Sequence, residues 1–363
     1  MISLPFRVDH EHGATLTEQI YAGLFEAIQS GSFAPGCRLP GIHDMSRELG
    51  ASVMVVRNAV RRLVERGLVS ARPRAGITVL DAPVAVWRRH VLHIMGAPGA
   101  SGYFFTIRNA AFQSAMDEKG FRLSSIHIHP GDDAQALRRL QAILDTQAIH
   151  FALVDGTSPA IAALLDAHGI AYGCVTQDKR PAGACGTVRV ENAAGDEALA
   201  AYIASLGVRS VCAVTFRDPE GAAMVRVFKR HGIAVRVQSA DSSDVAVGLE
   251  AIERAGYEAV RDLLSEDIPE CLYIADDYVA RGGVMAVVEA GVDVPGQMQL
   301  ITSANRGHAP FFPKALTHLE IDPAKMGSLM ADLCDRVLTH GRLRPELGAV
   351  PRVVVGATTC AKR

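Results

Sequence analysis

The cysteines of this sequence lack the spacing that disulfide-bonded or zinc-binding proteins show. Seven cysteines are scattered over 363 residues, and no two of them form a C-x-x-C pair. Pairs of thiols at short, regular intervals are the usual signature of a disulfide framework or a structural zinc site. We therefore expect neither of these, and we expect a reducing compartment.

Long hydrophobic runs and targeting segments are also missing. No stretch of roughly 18 or more apolar residues occurs, the length that a transmembrane helix needs. The first residues, MISLPFRVDHEHG, do not place a cationic segment before an apolar run, so they do not predict a signal peptide. We expect a cytoplasmic protein without a membrane partner.

The net charge is small, but the charge is unevenly distributed. The formal net charge is −2 at pH 7, which by itself does not favour a nucleic-acid partner. Residues 51–80, however, contain six arginines against one acid, Glu65, which leaves a local charge of +5. A basic segment of this kind is the electrostatic footprint that binding to DNA phosphates requires.

The first 80 residues predict three helices followed by a β-hairpin. Thr15 and Glu18 form a capping box ahead of apolar residues at every fourth position. A second helix ends at Gly50, and Ser52 precedes a third helix. The expected buried face of that third helix consists of Val56, Val60, Leu63 and Val64. With two short strands at 68–71 and 77–80, the pattern indicates a winged helix-turn-helix.

The opposite face of the third helix is the candidate DNA-binding surface. A helix in the major groove contacts base edges through exposed residues near its N-terminus, and arginine suits guanine. Arg72 and Arg74 at the hairpin tip would meet phosphates or the minor groove. The candidate contacts on the helix are Val53, Met54, Arg57, Asn58 and Arg61. The alternative is a solvated basic face of a protein–protein adaptor.

Residues 17–80 resemble the DNA-binding domain of the gluconate-repressor (GntR) family. The motif G-x-x-x-P-G-x-x-L-P falls on residues 31–40, and R-x-A-x-x-x-L falls on residues 57–63. The resemblance implies a winged helix-turn-helix and adds His43, Ser52 and Gly76 to the expected DNA contacts. His43 and Val53 stand where the family usually has arginine, so the resemblance does not carry over an operator sequence.

From His90 onward the pattern changes to apolar strands that alternate with amphipathic helices. Such alternation predicts parallel sheets built from βαβ units. The units are too many for one small sheet, so we expect two lobes with a ligand in the cleft between them. The expected fold class is α/β, with a winged helix-turn-helix at 1–80, a linker at 81–89 and a two-lobed effector-binding and dimerisation domain at 90–363.

Residues 90–359 resemble the effector domain of the lactose-repressor (LacI) family, which is itself similar to periplasmic sugar-binding proteins. The segment YIADDYVARGG places Asp277 at the family's ligand-binding aspartate, and the alternative is that Asp276 and Asp277 only cap the next helix. The other ligand contacts that the resemblance implies are Phe104, Phe105, Glu191, Arg217, Glu220 and Asn305. Glu220 stands where the family has arginine, so the ligand's identity is not carried over.

The combination of the two modules resembles the arrangement of arabinose-repressor-like regulators. It implies a homodimeric repressor that binds a double-stranded DNA operator and answers to a small-molecule effector such as a sugar or sugar derivative. The alternatives are a solute-binding or enzymatic domain with an accessory winged helix, and a regulator whose sensor has lost its ligand.

No catalytic set, cofactor or metal site is expected. Nucleophile-elbow and dinucleotide-binding motifs are absent from the sequence. His127 and His129 share a strand face, as a metal pair requires, but no third ligand lies nearby in the sequence.

Overall fold

The computed structural model describes residues 4–9, 15–65, 68–72, 76–80, 89–96, 102–128, 133–177, 179–216, 218–240, 248–341 and 344–361. The chain divides into two compact units. The first contains residues 1–92, 116–124 and 141–151, and the second contains residues 93–115, 125–140 and 152–363. The expected linker at 81–89 lies outside the described residues except for Arg89, which begins a strand.

Three helices form the N-terminal part of the first unit: α1 (Leu16–Gln29), α2 (Ile42–Leu49) and α3 (Val53–Glu65). The predicted capping box of α1 is confirmed, because Thr15 and Glu18 each accept a hydrogen bond from the other's backbone N–H. The left-handed Gly50 (φ 63°) ends α2. The Ser52 hydroxyl then accepts the N–H of Val55 at 3.3 Å at the start of α3.

A small antiparallel sheet completes this part of the chain. Its strands are β1 (Arg38–Leu39), β2 (Val69–Arg72) and β3 (Gly76–Val79), in the order β1-β3-β2. The buried face of α3 consists of Val56, Ala59, Val60 and Leu63. Val64, expected to be buried, is instead 40% exposed. It lies about 100° around the helix from Leu63, which places it beyond the edge of the apolar face.

Six strands form the first large sheet, in the order β14-β8-β7-β6-β4-β5. They are β4 (Arg89–Met95), β5 (Phe121–His127), β6 (Phe151–Asp155), β7 (Tyr172–Val175), β8 (Thr187–Val190) and β14 (Glu346–Ala349). The associated helices are α4 (Tyr103–Glu118), α5 (Asp133–Thr146) and α6 (Pro159–Ala167). The first four residues of β4 and of β5 belong to the first unit, and the remaining residues of the two strands belong to the second.

Six further strands form the second large sheet, in the order β10-β9-β11-β12-β13-β15. They are β9 (Ser210–Thr215), β10 (Ala234–Ser239), β11 (Cys271–Ile274), β12 (Gln299–Asn305), β13 (Thr317–Ile321) and β15 (Arg352–Val354). The associated helices are α7 (Asn192–Ser205), α8 (Asp218–Arg230), α9 (Leu249–Glu266) and α10 (Asp277–Glu289), whereas α11 (Pro323–His340) packs against β7, β8 and β14 of the first sheet. All neighbouring strands are parallel except β13 and β15. Within the described ranges no helix is both long and apolar enough to cross a membrane.

Glycines allow α9 and α10 to pack at close range. A Cβ atom at Gly282 would overlap the backbone carbonyl of Glu253, and one at Gly256 would overlap that of Val279. On the sheet side, a Cβ at Gly283 would lie 2.6 Å from the side chain of Ile274. The helix α10 is therefore held tightly between α9 and β11, which fixes the position of its first residues.

We expect Gly282→Ala to lower the free energy of unfolding by about 1–3 kcal/mol, because an added methyl group must displace the α9 backbone. Urea denaturation monitored by circular dichroism measures the loss. Ser265→Ala on α9 is the control, since its exposed hydroxyl bonds only to the carbonyl of Asp262 in the same helix. Equal stability of the Gly282 variant and the control would contradict the packing.

Candidate DNA-binding surface and small-molecule cavity

The exposed face of α3 carries the positive charge that the sequence predicts. Met54, Arg57 and Arg61 are exposed, whereas Val53 and Asn58 are half-buried at the margin of this face. Arg61 forms an ion pair within the helix to Glu65, with 3.7 Å between Nε and Oε1. Both side chains are about two-thirds exposed, and such surface pairs are worth little. Arg61 therefore remains available to a phosphate.

One arginine of the basic segment is anchored within the fold. The guanidinium of Arg62 lies over the ring of Tyr21 on α1, 4.2 Å from the ring centre. A cation held over an aromatic face gains electrostatic attraction from the ring. Arg62 thus joins α3 to α1, and we assign it to the stability of the domain rather than to its outer basic face.

Two further arginines, Arg72 on β2 and Arg38 on β1, lie close to Gly76 at the start of β3. Arg72 ends β2, is exposed, and pairs in register with Gly76 at the start of β3. Gly76 has a left-handed φ of 85°, and a Cβ there would lie 2.7 Å from Nε of Arg38. The left-handed φ is the reason for glycine at this position, since the guanidinium of Arg38 is the end of a flexible side chain and could move. Sequence reasoning missed Arg38 because it lies in the two-residue strand β1, outside the basic segment.

His43, Ser52 and Arg74 complete the set of predicted DNA contacts. His43 is exposed in the first turn of α2. Ser52 is exposed and acts as the cap of α3 described above. Arg74 lies outside the described residues, so its position is not assigned.

In the second unit a cavity of about 280 Å³ lies where the strands of the second sheet end. Thr215 ends β9, Asn305 ends β12 and Ile321 ends β13, and all three line the cavity. The carboxyl ends of parallel strands are the usual ligand position in open α/β sheets. The polar lining residues are Asn192, Asp196, Thr215, Tyr273, Asp276, Asp277, Ser303 and Asn305.

Two adjacent aspartates at the start of α10 line the cavity, and the first of them also caps the helix. Asp276 is the N-cap, and its Oδ1 accepts the N–H groups of Tyr278 and Val279, both at 2.9 Å. Asp277 does not cap the helix. Its Oδ2 accepts a hydrogen bond from Nδ2 of Asn305 at 2.6 Å. The structure therefore brings together two of the predicted ligand contacts, Asp277 and Asn305.

The charge on Asp277 is poorly compensated. Burial, together with the neighbouring carboxylate of Asp276, raises the pKa of Asp277 to about 6. The hydrogen bond from Asn305 and the charge of Arg281 oppose this change but do not cancel it. Burial also raises the pKa of Asp276, against the two backbone N–H groups that it accepts. Titratable groups perturbed in this way are concentrated at functional sites.

The cavity also contains a hydroxyl without a partner. Thr215 is 1% exposed, and its Oγ1 has no hydrogen-bond partner among the described atoms. Nearby in the lining, the hydroxyls of Tyr273 and Ser303 are bonded to each other at 2.9 Å. A buried, unsatisfied hydroxyl costs about 1–3 kcal/mol, a cost that a ligand atom at hydrogen-bond distance would remove.

Three predicted ligand contacts lie elsewhere in the structure. Phe104 and Phe105 are on α4, in edge-to-face contact at 5.4 Å, and they are not lining residues of this cavity. Glu191 binds Nε of Arg189 at 2.9 Å, while the next residue, Asn192, lines the cavity instead. The sequence analysis did not predict Asn192, because it chose the acidic neighbour, Glu191, as the ligand contact.

Two further predicted contacts are not placed. Arg217 lies outside the described residues. Glu220 falls within α8, but the direction of its side chain is not described.

A second buried carboxylate, Asp155 at the end of β6, is fully paired. Its two oxygens accept hydrogen bonds from Nη2 of Arg108 at 2.6 Å and from the His93 ring at 3.1 Å. Burial opposes its ionisation, yet the hydrogen bonds and charges of His93 and Arg108 hold the pKa of Asp155 below its usual range. The guanidinium of Arg108 also lies 4.9 Å from the ring centre of Phe105. We therefore assign Phe105 a packing role around this ion pair.

The start of α4 is bound to the start of α10 and to the turn after β12. The backbone N–H of Tyr103 donates to the Tyr278 hydroxyl at 2.9 Å, and the Tyr103 hydroxyl donates to the carbonyl of Arg306 at 3.1 Å. The ring of Tyr103 stacks on His308 with 3.9 Å between centres. These contacts join elements of the first sheet to elements of the second, directly beside Asp277 in the sequence.

The described ranges contain no group of three or more histidine, cysteine or acidic side chains that could hold one metal ion. His127 is described at the end of β5, whereas His129 lies outside the described residues. The predicted pairing of these two histidines on one strand face therefore stays untested.

Comparison with protein families matches the two parts of the chain separately. Residues 16–79 match the gntR family of bacterial regulatory proteins, and residues 200–359 match a periplasmic binding protein-like domain. A curated relative, the HTH-type transcriptional regulator Rv1152 of Mycobacterium tuberculosis, is 33% identical over 98 residues, which cover 26% of this chain and 81% of the relative. The transcriptional repressor PurR of Glaesserella parasuis is 28% identical over 27% of this chain and 29% of its own length.

Solved structures share the fold of the larger part of the chain. A LacI family transcriptional regulator from Enterococcus faecium with bound ribose is 16% identical with a TM-score of 0.60, over 75% of this chain and 100% of that one. A lac repressor dimer bound to operator and the anti-inducer ONPF is 15% identical with a TM-score of 0.59, over 75% of this chain and 94% of that one. These likenesses confirm the α/β fold class expected from the sequence.

The raised pKa of Asp277 predicts a pH-dependent gain in stability from Asp277→Asn. Because the folded-state pKa of about 6 exceeds the ordinary 3.8, the carboxylate destabilises the fold above pH 6, and this cost disappears as the pH falls towards 3.8. At pH 7.5 we expect the variant to gain about 1–2 kcal/mol in free energy of unfolding. Urea denaturation at a series of pH values measures the gain, which should shrink steadily below pH 6.

Asp322→Asn is the matched control with the opposite sign. Asp322 caps α11 and accepts a hydrogen bond from Nη1 of Arg306 at 2.6 Å. Burial alone would raise the pKa of Asp322, but these hydrogen bonds and the charge of Arg306 outweigh burial and lower it. Neutralising it should therefore lower stability at pH 7.5. A loss of stability in Asp277→Asn as well, or a gain that is independent of pH, would contradict an uncompensated charge in the cavity.

Proposed function

Because this chain belongs to the GntR family of bacterial regulatory proteins, we propose that it is a transcription repressor whose DNA binding is controlled by a small molecule in the cavity of the second sheet. The observation that carries the proposal is the coexistence of two features in one chain. An N-terminal winged helix exposes arginines on α3, and an α/β domain encloses a polar cavity at its strand ends.

The names of similar proteins support each half of this proposal. PurR is named a transcriptional repressor, one structural neighbour holds ribose, and another is bound to an operator. A sugar or sugar derivative is accordingly the first effector class to test. The proposal assigns no catalytic activity to the chain and needs no cofactor. A DNA partner is consistent with the cytoplasmic location that the sequence predicts.

The proposed mechanism is a linkage between two binding sites. An effector changes the affinity for DNA only if it binds one conformation of the protein more tightly than another. The cavity supplies the contacts of Asp277, Asn305 and Thr215, and α10 transmits any change because it begins at Asp277. Tyr103 joins the start of α4 to Tyr278 on α10 and to Arg306 in the turn after β12. These hydrogen bonds lie next to Asp277 and Asn305 in the sequence, so a change at the cavity would alter them first.

The DNA-binding half of the proposal predicts a loss of affinity in Arg57→Ala. We would first select duplexes from a random-sequence library with the wild-type chain, and then measure dissociation constants by fluorescence anisotropy at several salt concentrations. Loss of a groove arginine costs roughly 1–3 kcal/mol, so affinity should fall about five- to 150-fold. If Arg57 contacts a phosphate instead, the salt dependence should fall by about one ion.

Arg226→Ala is the control for that experiment. Arg226 is an exposed arginine on α8, so the variant loses the same charge outside the winged helix. Unchanged DNA affinity in Arg57→Ala, or an equal loss in both variants, would refute the role of α3.

We propose further that the chain acts as a homodimer with α10 at its interface. Met285 and Val288 are 56% and 45% exposed and lie about one helical turn apart on α10. Two-fold symmetry would match the two half-sites of a palindromic operator. One structural neighbour is a lac repressor dimer bound to its operator, which supports this assembly.

Met285→Asp tests the interface, because a charge placed in an apolar contact opposes association. Sedimentation velocity at micromolar concentration should give a dimer for the wild type and a monomer for this variant. Val355→Asp is the control, since Val355 is 62% exposed but lies after β15 rather than on α10. A monomeric wild type, or a Met285→Asp variant that remains dimeric, would refute the proposed interface.

A further inference from the structure

The charged lining of the cavity is acidic. Asp196, Asp276 and Asp277 all line it, and none of its described lining residues is arginine, lysine or histidine. Arg281 lies one turn along α10 from Asp277, and its charge lowers the pKa of Asp277, but its guanidinium donates to the carbonyl of His308 rather than to the carboxylate. The described structure therefore provides no ion pair for Asp277.

The hydrogen bonds that the two aspartates accept come from uncharged groups, so they do not neutralise the carboxylate of Asp277. Asn305 donates a single amide hydrogen bond to Asp277, and Asp276 already uses its Oδ1 for the helix N-terminus. A carboxylate that is partly removed from water gains most from a cation at contact distance, since the attraction between opposite charges grows as the local dielectric falls. A phosphate or carboxylate ligand would be repelled by the same groups.

The unpartnered hydroxyl of Thr215 is an independent sign of a ligand in this cavity. Thr215 lies on β9, whereas the aspartates lie at the start of α10 and on α7. Its buried Oγ1 can accept a hydrogen bond from an ammonium or donate one to a ligand oxygen. A volume of about 280 Å³ is at the small end of ligand pockets, which span roughly 300–1,000 Å³. The cavity therefore suits a compound of monosaccharide size.

We propose that the effector is a cation of this size, a polyhydroxylated amine such as an amino sugar, whose ammonium group lies against Asp277. The proposal rests on the proposed function, because it requires the cavity to be the effector site. It deepens that function by naming the charge of the ligand. The attraction between the ligand's ammonium group and the carboxylate of Asp277 supplies the binding energy. Asn305 and Thr215 supply hydrogen bonds that orient the ligand's polar groups.

Sets of compounds that share a carbon skeleton and carry a neutral, a cationic or an anionic group test the proposal. Thermal denaturation of the full chain would be followed with glucose, glucosamine and glucose 6-phosphate, with the same three forms of galactose and of mannose, and with glycerol, serinol and glycerol 3-phosphate. Binding to the native state raises the melting temperature. We expect the amine to give the largest increase within at least one set, and the phosphate to give none in any set.

The outcomes separate this inference from the proposed function. If a neutral or phosphorylated compound gives the largest increase in every set that responds, the cationic effector is overturned while effector sensing by the cavity stands. If no compound of any class changes the melting temperature, both statements about the cavity fail, whereas DNA binding by α3 is judged by the Arg57 experiment alone.

Two variants locate the effect in the cavity. Isothermal titration with the best amine should show at least a tenfold weaker affinity for Asp277→Asn, which keeps the size and polarity of the side chain but removes its charge. Thr215→Val removes only the unpartnered hydroxyl, and it should weaken the amine by about three- to tenfold without loss of stability. Asp322→Asn removes a carboxylate outside the cavity and should bind as the wild type does. Unaltered amine affinity in Asp277→Asn would overturn the proposal.

Discussion

The hydrogen bonds that Asp276 accepts at the N-terminus of α10 are the constraint on which the cavity depends. They fix the first turn of α10 through the N–H groups of Tyr278 and Val279. The missing side chains of Gly282 and Gly256 then allow the backbones of α9 and α10 to lie in close contact. Asp277 follows the cap directly and is therefore held at the cavity wall, beside a second carboxylate. This position destabilises the ionised carboxylate of Asp277, and its pKa is raised accordingly.

The buried carboxylates at the strand ends of the two large sheets differ in how their charge is compensated. In the first sheet, Arg108 and His93 surround Asp155, which lowers its pKa and makes it part of the framework. In the second sheet, the amide of Asn305 and the charge of Arg281 only partly offset the burial of Asp277. Breaking a buried pair is strongly destabilising, so the Asp155 cluster is suited to a permanent structural role. A carboxylate whose charge is only partly offset by the protein is suited to a site that a ligand completes.

Sequence patterns predicted those features that depend on local chemistry. The capping box of Thr15 and Glu18, the helix end at Gly50 and the basic face of α3 all follow from residues close together in the chain. The arrangement of β13, β15 and the cavity depends on contacts between distant segments, which periodicity does not encode. Of the ligand contacts that the resemblance implies, Asp277 and Asn305 line the cavity and stay predictions, whereas Glu191 does not line it and the next residue, Asn192, does.

The ionisation of Asp277 itself is the most direct test of the central claim that the cavity keeps an uncompensated carboxylate for its ligand. Its carboxyl ¹³C resonance can be assigned from the difference between spectra of the wild type and of Asp277→Asn, and then followed as a function of pH without ligand. We predict a midpoint near pH 6. A midpoint near the ordinary value of about 4 would show that the charge is already balanced in the empty protein and would contradict that claim.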